Sequence, residues 1–317
     1  VVPVKIIQNK IFFVYFLQKK GKQCVMIENT EFYLEYLPIN FSVIAQDKSI
    51  LPPYLGSTLR GAIGHVLRND TEACHYLYDN RRLDKKRKEV LNPYIIVPPM
   101  IGKKLFYKND ILNFDIMFLG DGAKYAKNVI DALSSQGGLR LGVRRNKFIF
   151  DKAVHKTDQR VIWQDRTFYQ AAIRKIPLVY KTLDNVESVT IKFLTPLRRR
   201  RNNELLKDVD FSSIIRNITY RIESLTGRYG GWVDTEKMEH IQKLSSKIIT
   251  TKKDIELVNM ERYSNRTNEK MDFGGLMGSM SFHGDLSLFV PWLYAAQILH
   301  IGGNTTFGMG RIEVEFI

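Results

Sequence analysis

The chain closes with the stretch His300-Ile-Gly-Gly-Asn-Thr-Thr-Phe-Gly-Met-Gly-Arg-Ile-Glu-Val-Glu-Phe-Ile317. An apolar run typical of a helix ends at His300, and an alternating strand begins at Arg311. The loop between them holds four glycines: Gly302, Gly303, Gly308 and Gly310. Glycine carries no Cβ, so its backbone N–H groups can approach a phosphate closely. The stretch therefore predicts a helix, a phosphate-binding loop and a strand.

A similar stretch lies near the middle of the chain, over residues 136–145. There too a predicted helix precedes the glycines and an alternating strand follows them. The alignment pairs three residues of each stretch: Gly137 with Gly303, Gly142 with Gly308, and Arg145 with Arg311. A shared spacing in the same flanking order indicates a duplicated unit.

Each half of the chain follows the order strand, helix, two strands, helix, strand, which is the split-βαβ order. We therefore predict an α+β fold of two tandem ferredoxin-like domains, each an antiparallel sheet with helices on one face. Residues 1–184 form the first domain, which begins with a strand hairpin, and residues 185–317 form the second. In the second domain we expect helices over 211–225 and 235–249, and a last helix that is capped by Asp285 and ends near His300.

The 317 residues carry 48 Lys and Arg against 33 Asp and Glu, a formal charge of +15. Such an excess predicts a polyanionic partner, because neutralising phosphates releases counterions. No glycine–lysine–Ser/Thr phosphate loop of the NTPase kind is present, and the glycine loops precede strands instead of opening helices. Nucleic acid is therefore favoured over a nucleotide.

Only two cysteines occur, Cys24 and Cys74, so a disulfide framework and a four-cysteine zinc site are excluded. Histidines and carboxylates with metal-ligand spacing are also lacking, and no cofactor is predicted. No apolar run approaches the roughly 18 residues of a membrane span. These features favour a cytoplasmic protein that needs no metal.

Metal-free chemistry on RNA can use the ribose 2′-hydroxyl as the nucleophile, with a histidine as general acid or base. His65 lies with Gly61, Gly64 and Arg68 on the polar face of a helix predicted over 55–68. His300 ends the last helix beside the glycine-rich loop. Both are candidate catalytic residues; for His300, capping of the helix C-terminus is the alternative.

Basic residues near the glycines and at strand ends are candidates for phosphate contact. Arg198 to Arg201 follow a predicted strand directly, with no acidic residue before Glu204. Four adjacent arginines at the end of a strand favour phosphate binding over a merely solvated loop. A basic run over 81–88 is equally compatible with both roles.

The stretch Leu51-Pro-Pro-Tyr-Leu-Gly-Ser-Thr-Leu-Arg-Gly-Ala-Ile-Gly-His65 resembles the N-terminal helix of CRISPR-associated pre-crRNA endoribonucleases, the Cas-six type of the RAMP superfamily. Gly274 to Gly278, Gly284 to Leu286 and His300 to Arg311 resemble the C-terminal signature of that family. The resemblance implies two ferredoxin-like domains and metal-independent cleavage of CRISPR repeat RNA, which leaves a 2′,3′-cyclic phosphate and a 5′-hydroxyl. Partners would be CRISPR repeat RNA and other CRISPR-associated proteins.

His65 and His300 match positions where relatives often carry histidine, so both stay catalytic candidates. The expected RNA contacts are Arg60, Arg68, Arg144, Arg145, Arg198, Arg199, Arg200, Arg201, Gly302, Gly303, Thr305, Thr306, Gly308, Gly310 and Arg311. Two alternatives stay open. The chain could be a non-catalytic RNA-binding subunit of a CRISPR effector complex, or a general RNA-binding protein whose glycines only tighten turns.

Overall fold

A computed structural model of the protein describes residues 30–79, 91–201, 204–264 and 269–317. The hairpin predicted near the start of the chain and the basic run over 81–88 lie outside the described residues. Within them, the chain forms two four-stranded antiparallel arrangements with helices packed against them.

The first half contains four long strands and two helices. They are β1 Glu35–Ala45, α1 Gly56–Val66, β2 Tyr94–Val97, β3 Ile111–Leu119, α2 Ala126–Ser135 and β4 Asn146–His155. The strands lie in the order β2-β3-β1-β4, and each neighbouring pair is antiparallel. Four short strands extend this sheet: Leu139–Leu141, Val161–Gln164, Thr167–Phe168 and Ile176–Pro177.

The second half repeats this plan with one additional helix. Its elements are β5 Ser188–Leu197, α3 Phe211–Tyr229, α4 Thr235–Leu244, β6 Ile249–Val258, β7 Gly275–His283, α5 Val290–Leu299 and β8 Ile312–Phe316. The order β6-β7-β5-β8 is the same as in the first sheet, and all pairs are again antiparallel. The predicted fold of two ferredoxin-like units is therefore confirmed.

Short elements connect these units. Three further strand pairs are Phe32–Tyr33 with Trp232–Val233, Ser49–Ile50 with Leu105–Phe106, and Glu261–Ser264 with Glu269–Asp272. Arg200–Arg201 pairs with Glu204–Leu205 directly after β5. A helical turn at Thr71–Cys74 and a π-helical turn at His75–Asp79 follow α1.

Alternation along the strands explains the two cores. In β1, Leu37, Ile39 and Phe41 point into a core that also holds Leu59 of α1 and Ile130 of α2. The residues between them point to the opposite face. In β5 the same alternation buries Val189, Ile191 and Phe193 against helix α3 and helix α5.

The two sheets differ in what covers their outer faces. Ile95 and Met117 on the outer face of the first sheet belong to the core of the second half, so β2 is buried on both sides. This explains why Tyr94–Val97 is an uninterrupted apolar run. The outer face of the second sheet is polar instead; there Thr190 and Ser281 share a hydrogen bond of 2.9 Å between their hydroxyls.

Three predicted helix boundaries in the second half differ from the structure. The helix expected over 211–225 continues to Tyr229. The helix expected over 235–249 ends at Leu244, because the β-branched residues from Ile249 onward pair with β7. The last helix is not capped by Asp285. A single 3₁₀ turn at Ser287–Phe289 leads into α5, and Pro291 in the first helical turn needs no hydrogen-bond partner for its nitrogen.

The duplication holds for the strand order but not for every aligned residue. Gly142 and Gly308 both adopt a left-handed conformation, with φ of +75° and +82°. Gly137 is left-handed whereas Gly303 is not. The two loops therefore occupy the same place in the topology but follow different paths. Among the described residues, no helix combines the length and the apolar character needed to cross a membrane.

Candidate active site

Helix α1 begins directly under the glycine-rich loop of the second half. A Cβ on Gly56 would lie 1.8 Å from the carbonyl oxygen of Phe307, so only glycine fits there. The Tyr54 hydroxyl donates a 2.6 Å hydrogen bond to the same oxygen, and burial raises the pKa of this phenol. Tyr54 therefore stays protonated and fixes the start of α1 against the loop.

His65 lies on the exposed face of α1, one turn after Gly61. Its Nε2 is 3.4 Å from Nη2 of Arg145, which belongs to the loop between Leu139–Leu141 and β4. Because a guanidinium can only donate, this contact directs a lone pair of the imidazole toward Arg145. The geometry places a proton acceptor beside a fixed positive charge at the protein surface.

The loop that carries Arg145 is exposed at every position from Val143 to Arg145. Val143 is fully exposed, at 101%, and Arg144 next to it also faces solvent. The loop turns at Gly142, whose carbonyl accepts the Arg145 N–H at 3.1 Å. His65, Arg144 and Arg145 are thus brought together as predicted site residues that a ligand can reach. Arg68, in the turn after α1, is exposed as well.

Arg60 differs from this expectation, because its side chain is half-buried. Its guanidinium lies between two rings, 4.8 Å from the centre of Tyr78 and 4.9 Å from the centre of Phe307. The Tyr78 hydroxyl donates to the Arg60 carbonyl at 2.9 Å, and a Cβ on Gly64 would lie 2.6 Å from the Tyr78 ring. Arg60 therefore joins α1 to the glycine-rich loop by cation–π contacts, and Gly64 gives room for Tyr78.

Most of the glycine-rich loop is buried in protein instead of forming an open cradle. Thr305, Thr306, Gly308 and Gly310 are all buried, and only Gly303 is exposed. A Cβ on Gly310 would lie 1.6 Å from the Ile301 carbonyl oxygen. The glycines here permit close approach of protein backbone, which corrects the expectation of a phosphate cradle along the whole loop.

His300 is enclosed by the second half and is only 1% exposed. Its Nδ1 donates to the Met309 carbonyl at 3.1 Å, and this bond holds the two ends of the loop together. Burial, and then the charge of nearby Arg221, lower the pKa of His300 to about 3. In this structure His300 is a neutral, buried residue, and it does not share a surface with His65.

Arg221 was not predicted as a buried residue. It is 3% exposed, and its Nε donates to the carbonyl of Leu299 at 2.7 Å, at the C-terminus of α5. Burial lowers its pKa to about 10. Arg221 is three residues after Ile218 and four before Leu225, so it lies on the buried face of α3; this spacing was the local signal, and the charge of the side chain hid it.

The arginines after β5 divide into different roles. Arg198 is buried and donates to the Gly274 carbonyl at 2.6 Å and to Asp272 at 2.7 Å, so its predicted phosphate contact is replaced by internal bonds. Arg199 is half-buried, and Arg200 is exposed with Asp272 at 3.8 Å. The backbone of Arg201 pairs with Glu204.

Arg311 lies directly before β8 and is half-exposed. Its N–H donates to the Thr195 hydroxyl at 2.9 Å, and its guanidinium is 4.0 Å from the sulfur of Met100. In the described parts of the chain, no three His, Cys, Asp or Glu side chains are grouped as metal ligands would be.

Comparison with known proteins gives the class of this fold. Residues 191–312 match the family model of the CRISPR-associated endoribonuclease Cas6, and residues 34–177 match a model of an N-terminal domain named AF_1859_N. An uncharacterized protein of Archaeoglobus fulgidus is 21% identical over 197 residues, which cover 57% of this chain and 65% of that relative. The match thus spans just under two thirds of the relative's length.

Solved structures of Cas6 have the same fold. A Cas6 product complex superimposes with a TM-score of 0.57 at 12% identity, covering 89% of this chain and 100% of that one. Thermus thermophilus Cas6 gives 0.55 at 13% identity, covering 89% and 99%. In a Cas6-RT-Cas1–Cas2 complex the TM-score is 0.57 at 10% identity, and 90% of this chain covers 46% of that chain. The second half of the chain thus matches the Cas6 family model, and the chain as a whole shares the fold of these Cas6 structures.

Proposed function

We propose that this protein is an endoribonuclease that processes CRISPR RNA by cutting within the repeat. The observation that carries the proposal is the exposed pair formed by His65 and Arg145, 3.4 Å apart, beside an exposed basic turn. The Cas6 family match supports the substrate class, since CRISPR-associated endoribonuclease is the family's description. The net charge of +15 supports a polyanionic substrate.

The chemistry proposed at this pair uses the RNA's own hydroxyl. The 2′-oxygen bonds to the adjacent phosphorus while the bond from phosphorus to the 5′-oxygen breaks. When phosphate binds, Arg145 moves from Nε2 of His65 to the phosphate oxygens; the freed Nε2 lone pair takes the 2′-hydroxyl proton, and the departing 5′-oxygen takes a proton from solvent. Arg145 stabilises the negative charge that grows on the phosphate oxygens. The products are a 2′,3′-cyclic phosphate and a 5′-hydroxyl.

His300 has a positioning role in this proposal. Its bond to the Met309 carbonyl closes the loop, and Phe307 of that loop contacts both Tyr54 and Arg60. The loop therefore fixes the start of α1, the helix that carries His65. We also propose the unit boundary at residues 184 and 185, and CRISPR repeat RNA and other CRISPR-associated proteins as partners.

The test is cleavage of the repeat RNA encoded beside the protein's own gene, with EDTA present. His65→Ala should lower the rate by about 10²–10⁴-fold, because a general base is lost. His240→Ala, which removes an exposed histidine from α4, is the matched control and should cleave at the wild-type rate. A 2′-deoxy nucleotide at the cut site should abolish cleavage but not binding.

Two results would contradict the proposal. Cleavage that continues unchanged in His65→Ala would remove His65 from the reaction. Tight binding of the repeat with no cleavage by the wild-type protein would instead support a non-catalytic RNA-binding subunit.

A further inference from the structure

The exposed end of the glycine-rich loop is tied to the second half by two hydrogen bonds. The Gly302 N–H donates to the Asn217 side-chain oxygen at 2.7 Å, and the Gly303 N–H donates to the Arg198 carbonyl at 2.7 Å. Asn217 lies in the first turns of α3, next to Arg216, and Arg198 precedes Arg199. The exposed part of the loop is therefore held beside these two arginines.

Arg199 lacks the partners that satisfy its neighbour. Its Nη1 is buried and has no hydrogen-bond partner among the described residues, whereas the Arg198 guanidinium binds a carbonyl and a carboxylate. A buried donor without an acceptor is unfavourable, and most such groups in proteins are paired. The Nη1 donor of the half-buried Arg199 side chain therefore lacks an acceptor.

The charges around Arg199 are also unbalanced. Burial, and then the positive charge of Arg216, lower the pKa of Arg199. Within the described residues, neither arginine has a carboxylate within 4.0 Å. Asp210 is the nearby acid, but its side chain accepts the Ser213 N–H at 2.6 Å as the N-cap of α3. The single carboxylate of Asp210 acts on both arginines, so one of the two positive charges is left without a balancing anion.

We propose that Arg199 and Arg216 form a second phosphate-binding site, which takes a backbone phosphate of the RNA. A phosphate supplies the acceptor that Arg199 lacks and neutralises the repulsion between the two guanidinium groups, and arginine binds phosphate through paired N–H donors. Gly303 beside the site is exposed, and a Cβ built on it would meet the Arg198 carbonyl oxygen at 3.4 Å and no other atom within 4 Å. The inference rests on the proposed RNA-processing function, and it extends the RNA contact from α1 to α3.

The experiment measures equilibrium binding of repeat RNA that carries a 2′-deoxy nucleotide at the cut site, over a range of salt. Arg199→Gln and Arg216→Gln should each raise Kd by about tenfold, and each should reduce the slope of log K against log salt by about 0.7. Lys243→Gln on α4 removes one exposed charge and should change neither quantity. Arg199→Lys keeps the charge but loses paired donation, so it should bind with intermediate affinity.

The stability of the RNA-free protein distinguishes a structural role of the two arginines from a role in RNA binding. If the arginines serve RNA, their removal should leave the urea midpoint unchanged or raise it, because like-charge repulsion is relieved. A lowered midpoint with unchanged RNA affinity would make Arg199 a structural residue and overturn the proposal.

Two further outcomes separate this inference from others. Inorganic phosphate that raises the Tm of the wild type but not of Arg199→Gln, with RNA affinity unchanged in the variant, would overturn the assignment to RNA. Weaker RNA binding in both variants of a protein that never cleaves would support this site while contradicting the proposed activity.

Discussion

The two glycine loops occupy equivalent places in their units, yet they meet opposite surroundings. Each follows the last helix of its unit and precedes the last strand, β4 or β8. The first-half loop is exposed from Val143 to Arg145. The second-half loop is buried from Thr305 to Gly310, against the start of α1 and the end of β2. At this topological position the first unit has a loop that a ligand can reach. The second unit has a loop that forms the contact between the two units.

The difference follows from what each glycine permits. Gly137 and Gly310 have almost the same φ, +66° and +67°. No atom lies within 4 Å of a Cβ built on Gly137, whereas on Gly310 it would lie 1.6 Å from a carbonyl oxygen. Gly137 is needed only for the turn, and Gly310 is needed for the turn and for the close approach. The richer glycine content of the second loop thus indicates packing of backbone on backbone.

Adding one methyl group to a glycine of each loop tests whether the two glycines have different roles. Gly310→Ala should lower the free energy of unfolding by about 3 kcal/mol or more, because left-handed strain and a backbone clash add. Gly137→Ala should cost about 1 kcal/mol, which is the left-handed strain alone. Urea denaturation, with m-values checked for two-state unfolding, gives both quantities.

Gly308→Ala is a further check, since its Cβ would lie 2.5 Å from the Pro98 ring. Its loss of unfolding free energy should be close to that of Gly310→Ala and larger than that of Gly137→Ala. Equal losses of unfolding free energy in all three variants would mean that the left-handed backbone conformation alone determines the loss. The proposed difference between the two loops would then be contradicted.

The sequence predicted the fold well because its signals are local. The helix expected over 55–68 is α1 with a single following turn, and the order of strands and helices expected for two ferredoxin-like units is found. Periods of 3.6 and 2 residues decide such elements. Where local signals conflict, as in the β-branched residues from Ile249 onward, the helix boundary was predicted wrongly.

The site was predicted less completely, because exposure depends on distant residues. His65 and Arg145 were both named, but their contact joins residues 80 positions apart. The burial of Arg60 requires Tyr78 and Phe307, and that of His300 requires the path of the loop around it. A histidine at the end of a helix beside glycines has the same local sequence whether it is buried or exposed.

The buried state of His300 should appear in the pH dependence of stability. Its folded pKa of about 3 lies below the ordinary value of 6.5, so the folded state resists protonation. The unfolded chain takes up a proton first as the pH falls, so stability contributed by His300 is complete above pH 6.5 and is lost toward pH 3. The expected loss is about 1.4 kcal/mol per pH unit within that window.

The measurement is the free energy of unfolding at several pH values for the wild type and for His300→Asn. The asparagine does not titrate and tolerates a left-handed φ, so its stability should fall less steeply, by about 1.4 kcal/mol per pH unit. His283→Asn, at an exposed histidine of β7, is the control and should keep the wild-type slope. Parallel slopes for His300→Asn and the wild type would place His300 in solvent.

The smallest expected effect concerns RNA contact by the two loops themselves. Arg144→Ala removes one exposed charge from the first-half loop and should reduce the salt slope of RNA binding by about 0.7. Thr306→Val alters a buried side chain of the second-half loop that had been expected to contact RNA, and it should leave the slope unchanged. Binding of the non-cleavable repeat over a salt series measures both. If Thr306→Val changed the slope and Arg144→Ala did not, the second-half loop would have to open and bind RNA. The exposure seen in the free protein would then give the wrong RNA-binding loop.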